Sequence, residues 1–477
     1  MGGDATGTLA ARTAPAGIPG GAGPELADVQ GFVLRSYAMP TLRVLVLRVV
    51  DAAGARGFLG TLVQTDGAGP RLATGAPWGE KPSSCVNVGL TYAGLVALGL
   101  STDSLASFPE EFVAGAAARA TCVGDVGDSA PAAWDAVVAP TDAHVFLFVF
   151  AAGEAVRDAV CDALRAAYAV GGALTELGAL DAGALPGDVA HFGYRDGFSQ
   201  PTIDGGLPPA IPDLLPPAPA GEFVLGYPSQ YADLTYPVPA PAALGQNGSF
   251  AAVRILEQDC DAFERFLRDA GAQTGLDPEL VAAKLCGRWR NGVPLALSPT
   301  TDAPDPPIPL ERMNSFDYAP TALHPEVYDD RKGYRCPIGA HMRRANPRSS
   351  AVAGSAGLKR RIVRRGLPYG PAYDPSQPHD GVARGLLGLF IGVSLKDQFE
   401  FVMAEWVNDG AFAPGLGTTR DPVLGDNTAE ASRFVIPVDG GAPIALSGFS
   451  RFVRTRGGAY CFLPSVTALR FLAGGAS

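Results

Sequence analysis

The chain has 477 residues, with 37 Lys and Arg against 48 Asp and Glu, a formal net charge of −11. That length suits two packed modules of a hundred or more residues each, and an acidic balance without a basic stripe excludes a protein built to track a phosphate backbone. The seven cysteines stand singly, without CxxC pairs, the pattern of reduced buried thiols and not of a disulfide framework or a structural zinc site.

Residues 1–27 are rich in Gly, Ala and Pro and hold neither a twin arginine nor an apolar run of signal-peptide length. They read as a flexible tail, and a cytoplasmic address is the expectation. TLRVLVLRVV (41–50) alternates and is β-branched, and the following residues turn helical, so a strand passes into a helix. CVNVGLT (85–91) is a second strand, with Thr91 placed to cap the helix after it. A helix candidate near 110–120 precedes HVFLFVF (144–150), a buried strand far short of the ~20 residues a membrane span needs. It leads into a helix on which Val156, Val160 and Leu164 recur every four residues. The C-terminal third repeats the theme at 385–408 and 459–474.

Strands separated by helices without a regular short βα rhythm point to an α+β fold of two ferredoxin-like modules, antiparallel sheets flanked by helices. Pro-dense stretches within 206–240 and 298–325 exclude regular helix or central strand there. The organisation expected is a tail (1–27), an N-terminal module (28–205), a Pro-rich connecting or inserted region (206–330) and a C-terminal module (331–477).

Only five histidines occur: His144, His191, His324, His341 and His379. None forms an HExxH pair, and no GxSxG or phosphate-binding loop is present. A single-histidine metal centre, or no metal at all, remains. Two segments are dense in chemistry. In HFGYRDGFSQP (191–201), Asp196 lies between Gly193 and Gly197; such a turn could hold a carboxylate over a flat ligand or simply bond its own backbone. In CPIGAHMRRANPR (336–348), one histidine stands among Arg343, Arg344 and Arg348, whose forks would suit the two propionates of a haem or form a solvated basic cluster. A lone histidine is more often structural than ligating.

GYRDGFSQP resembles the GxxDG signature of the dye-decolourising peroxidases, and CPIGAHMRRANPR with IVRRGLPYGP is similar to that family's proximal and distal segments. VQGFVLRSY, NVGLTYAGLVALGL, GEFVLGYP, LCGRWRNGVPLALSP, QFEFVMAEWVND and RGGAYCFLPS resemble its longer bacterial, non-exported members, so the likeness runs from Asp28 to the C-terminus. It implies one b-type haem per chain, lodged mainly against the C-terminal module, and a homodimer. It implies His341 as the iron ligand, Asp196 as the distal acid and Arg364 as the distal arginine, with Arg365 beside it. Some members carry an asparagine two residues on, where this chain has Gly366.

The implied reaction reduces hydrogen peroxide and oxidises dyes, phenols or other one-electron donors through a ferryl and porphyrin-radical stage, without nucleic acid or membrane as partner. The second ring nitrogen of a ligating histidine donates to a carboxylate; Asp397 is the first expectation for that partner and Glu400 the second. Arg343 and Arg348 are expected at the haem edge, Leu389, Phe390 and Ile391 as apolar pocket wall, and Tyr369 or Trp406 as an electron relay. A carboxylate base implies an acidic activity optimum. The competing reading is a haem-handling protein with incidental peroxidase activity, against which the joint presence of Asp196, Arg364 and His341 argues.

Overall fold

The computed structural model describes residues 23–474 except 65–68, 136, 139–140, 210, 212–213, 232–233, 322–323 and 349–357. Residues 1–22, most of the tail, lie outside the described residues. The strands are β1 (Thr41–Val49), β2 (Ser84–Leu90), β3 (Val145–Ala151), β4 (Leu174–Gly183), β5 (Ser249–Gln258), β6 (Val363–Tyr369), β7 (Gly385–Gly392), β8 (Arg433–Ile436), β9 (Ile444–Ser447) and β10 (Val453–Leu463). All but β8 and β9 form one sheet in the order β4-β1-β3-β2-β10-β5-β7-β6, whose paired neighbours are antiparallel.

Each half of that order is the ferredoxin-like βαββαβ arrangement, with the first and third strands central. The two modules share the sheet and meet where β2 adjoins β10. There the strands share a single register pair, Leu90 with Phe462, and a side chain completes the seam. Gln30 donates from Nε2 to the carbonyls of Val88 (2.8 Å) and Pro464 (2.9 Å), and its Oε1 accepts from Val88 N (3.0 Å) and Asn87 Nδ2 (3.1 Å). The sheet curls until its end strands β4 and β6 touch.

Alternation along the strands builds two cores. On β3, Phe146, Phe148 and Phe150 face the inside of the curled sheet with Phe32, Val44, Ala251 and Cys461, whereas Val145, Leu147 and Val149 face the flanking helices. On the helix Glu154–Ala169 the buried stripe is Arg157, Cys161, Leu164 and Tyr168, with Val156 and Val160 on its flank. Asp51, Thr91 and Ser465 each accept a backbone N–H three residues on, capping helices that begin at the strand ends.

The second module begins earlier than its expected boundary at 331. β5 is its first, central strand, and the helices Cys260–Thr274 and Pro278–Cys286 follow it. The region 206–330 is thus no mere connection; its Pro-dense flanks mask the apolar run SFAAVRILEQ between them. After β7 the chain winds wider than an α-helix over 395–407 and closes with an i to i−5 bond from Asn408 N to Met403 O. No helix among the described residues is long and apolar enough to cross a membrane.

Candidate functional site

His341 opens the short helix His341–Ala345, and its Nδ1 lies 2.9 Å from Oδ2 of Asp421. Asp421 is wholly buried, and its Oδ1 accepts from the amides of Val423 (2.8 Å) and Leu424 (2.9 Å). An ionised carboxylate only accepts, so Nδ1 donates and Nε2 keeps its lone pair. That Nε2 has no hydrogen-bond partner among the described residues, and 29% of the His341 side-chain surface stays accessible. Burial works against a charged ring, but the charge and hydrogen bond of Asp421 outweigh it and raise the His341 pKa; the nearby Arg364 opposes them. Burial acts likewise against the Asp421 carboxylate, yet His341, the Leu424 amide and the charge of Arg344 hold its pKa below the ordinary value.

Three buried arginines fix this segment. Arg344 donates to the carbonyls of Gly339, Trp406, Asp409 and Thr419 and to Thr419 Oγ1, tying the His341 helix to the loop that carries Asp421. Burial pushes its guanidinium down to about 10. Arg343 is committed to Asp330, through one carboxylate oxygen and the carbonyl, and to the carbonyl of Cys336. Arg348 donates to the carbonyls of Asn314 and Phe316 and to Asn314 Oδ1, with its guanidinium 3.8 Å from the Phe316 ring centroid.

β6 comes near His341 through Arg364, whose charge acts on the ring. Arg364 and Phe390 are cross-strand partners on β6 and β7, as are Arg365 and Leu389 one step along, so the two pairs point to opposite faces. Arg364 donates from Nη2 to Ser199 O (2.8 Å), which brings it to the loop bearing Asp196. In that loop Gly193 (φ +83°) and Gly197 (φ +93°) take left-handed conformations open to glycine. The Asp196 carboxylate is exposed and holds the Gly197 amide at 2.7 Å. A Cβ on Gly366 would lie 2.3 Å from Leu387 O, so no larger side chain enters there without displacing β7.

Several expectations are redirected by these placements. Asp397 is not the partner of His341: it is exposed, its amide is capped by Ser394, and its carbonyl accepts from Arg360. Glu400 is buried but holds Arg119 with both oxygens (2.9 and 2.5 Å) and accepts from Tyr460. Leu389 and Ile391 belong to the core inside the curled sheet, leaving Phe390 on the face shared with Arg364 and against Phe399. Arg343, neutralised by Asp330, is not free to receive an external carboxylate. Tyr369 packs against the inner core and Trp406 is buried. Asp421 was missed because its only local signal is the turn in RDPVLGDN, and 48 acidic residues compete for the role.

No family model matches the chain. The dye-decolorizing peroxidase msp1 of Mycetinis scorodonius is 30% identical over 484 residues, which cover 94% of this chain and 88% of its own. This chain belongs to the dye-decolorizing peroxidase family. The multifunctional dye peroxidase DyP2 of Amycolatopsis is likewise 30% identical, over 95% of this chain and 97% of its own, so similar proteins occur in fungi and bacteria. An ancestral D-type dye-decolorizing peroxidase superposes with a TM-score of 0.78 at 27% identity, covering 95% and 100% of the two chains. A dye-decolorizing peroxidase solved with 2,6-dimethoxyphenol gives 0.78 at 26% identity, covering 94% and 99%.

Members of the family are haem peroxidases, and the residues here fit such a group on two observations. The unpartnered Nε2 of His341 suits an iron. Arg288 and Arg348, both buried, have no carboxylate partner among the described residues, and Arg288 Nη2 and Arg348 Nε are without any hydrogen-bond partner. Burial and the neighbouring Arg348 push the Arg288 guanidinium down to about 10. Uncompensated buried cations of this kind suit the carboxylates of a haem.

Proposed function

We propose that this peroxidase binds one b-type haem per chain through His341, and uses Asp196 and Arg364 to activate hydrogen peroxide. The observation that carries this is the orientation of His341: Asp421 holds Nδ1 and leaves Nε2 free. A bound haem would supply the two-electron reduction of peroxide and the later one-electron oxidation of a phenol or dye. His341 would hold the iron as a neutral imidazole whose basicity Asp421 raises. Arg348 and Arg288 would receive the propionates.

Asp196 takes the proton from one peroxide oxygen and returns it to the other as the O–O bond breaks. Arg364 sets fixed positive charge where negative charge gathers on the departing oxygen. Phe390 closes the apolar wall. Seven unpaired cysteines support residence in a reducing compartment, the cytoplasm.

The test separates binding from chemistry. His341→Ala should lose the Soret band of the purified protein. Asp196→Asn and Arg364→Leu should retain it but lose roughly 10²–10⁴-fold in kcat/KM for hydrogen peroxide. Full peroxide turnover in both distal variants overturns the assignment.

A further inference from the structure

Among the described residues the Asp196 carboxylate makes its hydrogen bond only to the neighbouring Gly197 amide, so its distance from Arg364 is set by the backbone around it. A side chain four residues after Asp196 ties that backbone to the strand bearing Arg364. Gln200 Oε1 accepts from the Arg364 backbone amide (3.0 Å) and from Arg365 Nη1 (3.3 Å). β6 is the last strand of the sheet order, and Arg364 N is an outward amide on it; Gln200 supplies the acceptor that another strand would. Arg365 is itself anchored, Nε donating to the carbonyls of Phe32 (2.7 Å) and Arg35 (3.1 Å), and burial pushes its guanidinium down to about 10.

One residue earlier, Ser199 binds both sides of the site. Its carbonyl accepts from Arg364 Nη2, and its Oγ donates to Asn314 Oδ1 at 2.7 Å, which also accepts from Arg348 Nη2 at 3.2 Å. The dipeptide Ser199–Gln200 thus straps the Asp196 loop to the distal strand and to the segment that begins at His341.

We infer that Gln200 is a positioning residue for the peroxide reaction: its amide oxygen latches the Asp196 loop to the Arg364 backbone and fixes the two distal groups against each other. The inference rests on the proposed roles of Asp196 and Arg364. Displacement of a reacting group by about 1 Å costs up to 10²-fold in rate, so loss of the latch is expected to lower kcat/KM for peroxide by roughly 10–100-fold while leaving the KM for a reducing dye unchanged.

The experiment compares haem-loaded wild type, Gln200→Ala and Gln200→Glu. Gln200→Ala should lose hydrogen-exchange protection at the Arg364 amide and lose peroxide kcat/KM, with its Soret band intact. Gln200→Glu keeps an acceptor oxygen beside Arg365 and should retain both. Should Gln200→Ala not accumulate folded, Gln200→Met, similar in length and without the acceptor, replaces it. Unchanged protection and turnover in the acceptor-free variant, or equal loss in Gln200→Glu, overturns the latch. Exchange at Arg364 reads the latch directly, whereas Asp196→Asn and Arg364→Leu read the catalytic assignment, so the two failures are distinguishable.

Discussion

Replacing Asp421 by asparagine removes one charge and reverses one hydrogen-bonding group without changing size. Oδ1 of Asp421 is pinned by the amides of Val423 and Leu424, so the carbonyl oxygen of asparagine stays there and its Nδ2 faces His341. Two donors cannot share that 2.9 Å contact, and His341 must turn to the tautomer that protonates Nε2 and gives up its lone pair. The hydrogen bond lost is charge-assisted, with a contribution of about 1.5–3 kcal/mol, which corresponds to a roughly 10–150-fold weaker grip on haem. Titration of haem into the haem-free variant, followed at the Soret band, measures that change. Asp397→Asn, altering an exposed carboxylate away from His341, should bind as wild type does. Equal affinity and identical spectra for Asp421→Asn and wild type would refute the argument that Asp421 orients the ligand.

Leu389→Ala should cost about 2–5 kcal/mol of stability in urea unfolding with little effect on the haem spectrum, while Phe390→Ala, on the opposite face of β7, should change the spectrum; the reverse assignment would contradict the strand's facing. Gln30→Ala strands buried groups of Asn87, Val88 and Pro464 at about 1–3 kcal/mol each, and non-additivity brings the expected loss to roughly 3–5 kcal/mol, read as a lower urea midpoint. Burial pushes the Glu222 carboxyl above its ordinary value, the Gln230 amide and Arg361 and Arg360 opposing. A raised folded-state pKa contributes stability below the unfolded value of about 4.3 that is lost as pH rises through the folded one. Glu222→Gln should therefore raise the melting temperature relative to wild type near about pH 8, with no gain near about pH 4; a gain confined to acid would contradict the sign.

Much of the fold was legible because strand and helix leave periodic signals. β1, β2, β3 and β7 fall where alternation or apolar runs placed them, and Thr91 caps the helix it was expected to cap. β5 was hidden by its proline-dense flanks. Its place at the centre of the second module depends on pairing with β7 and β10, more than a hundred residues away.

The candidate site divides the same way. Residue type and local spacing drew attention to His341 and Asp196, because a scarce histidine and a glycine-flanked acid are visible without coordinates; the resemblance to the family's segments supplied Arg364 and the role expected of each. Local sequence could not say that Asp421, 80 residues beyond His341, holds its ring, nor that Gln200 meets Arg364 across 164 residues. It could not distinguish Leu389 from Phe390, since that depends on which side of β7 faces the inner core. The chemistry of each group is carried by its own side chain; the partner that orients it is chosen by long-range packing, which brings together residues with no sequence relation.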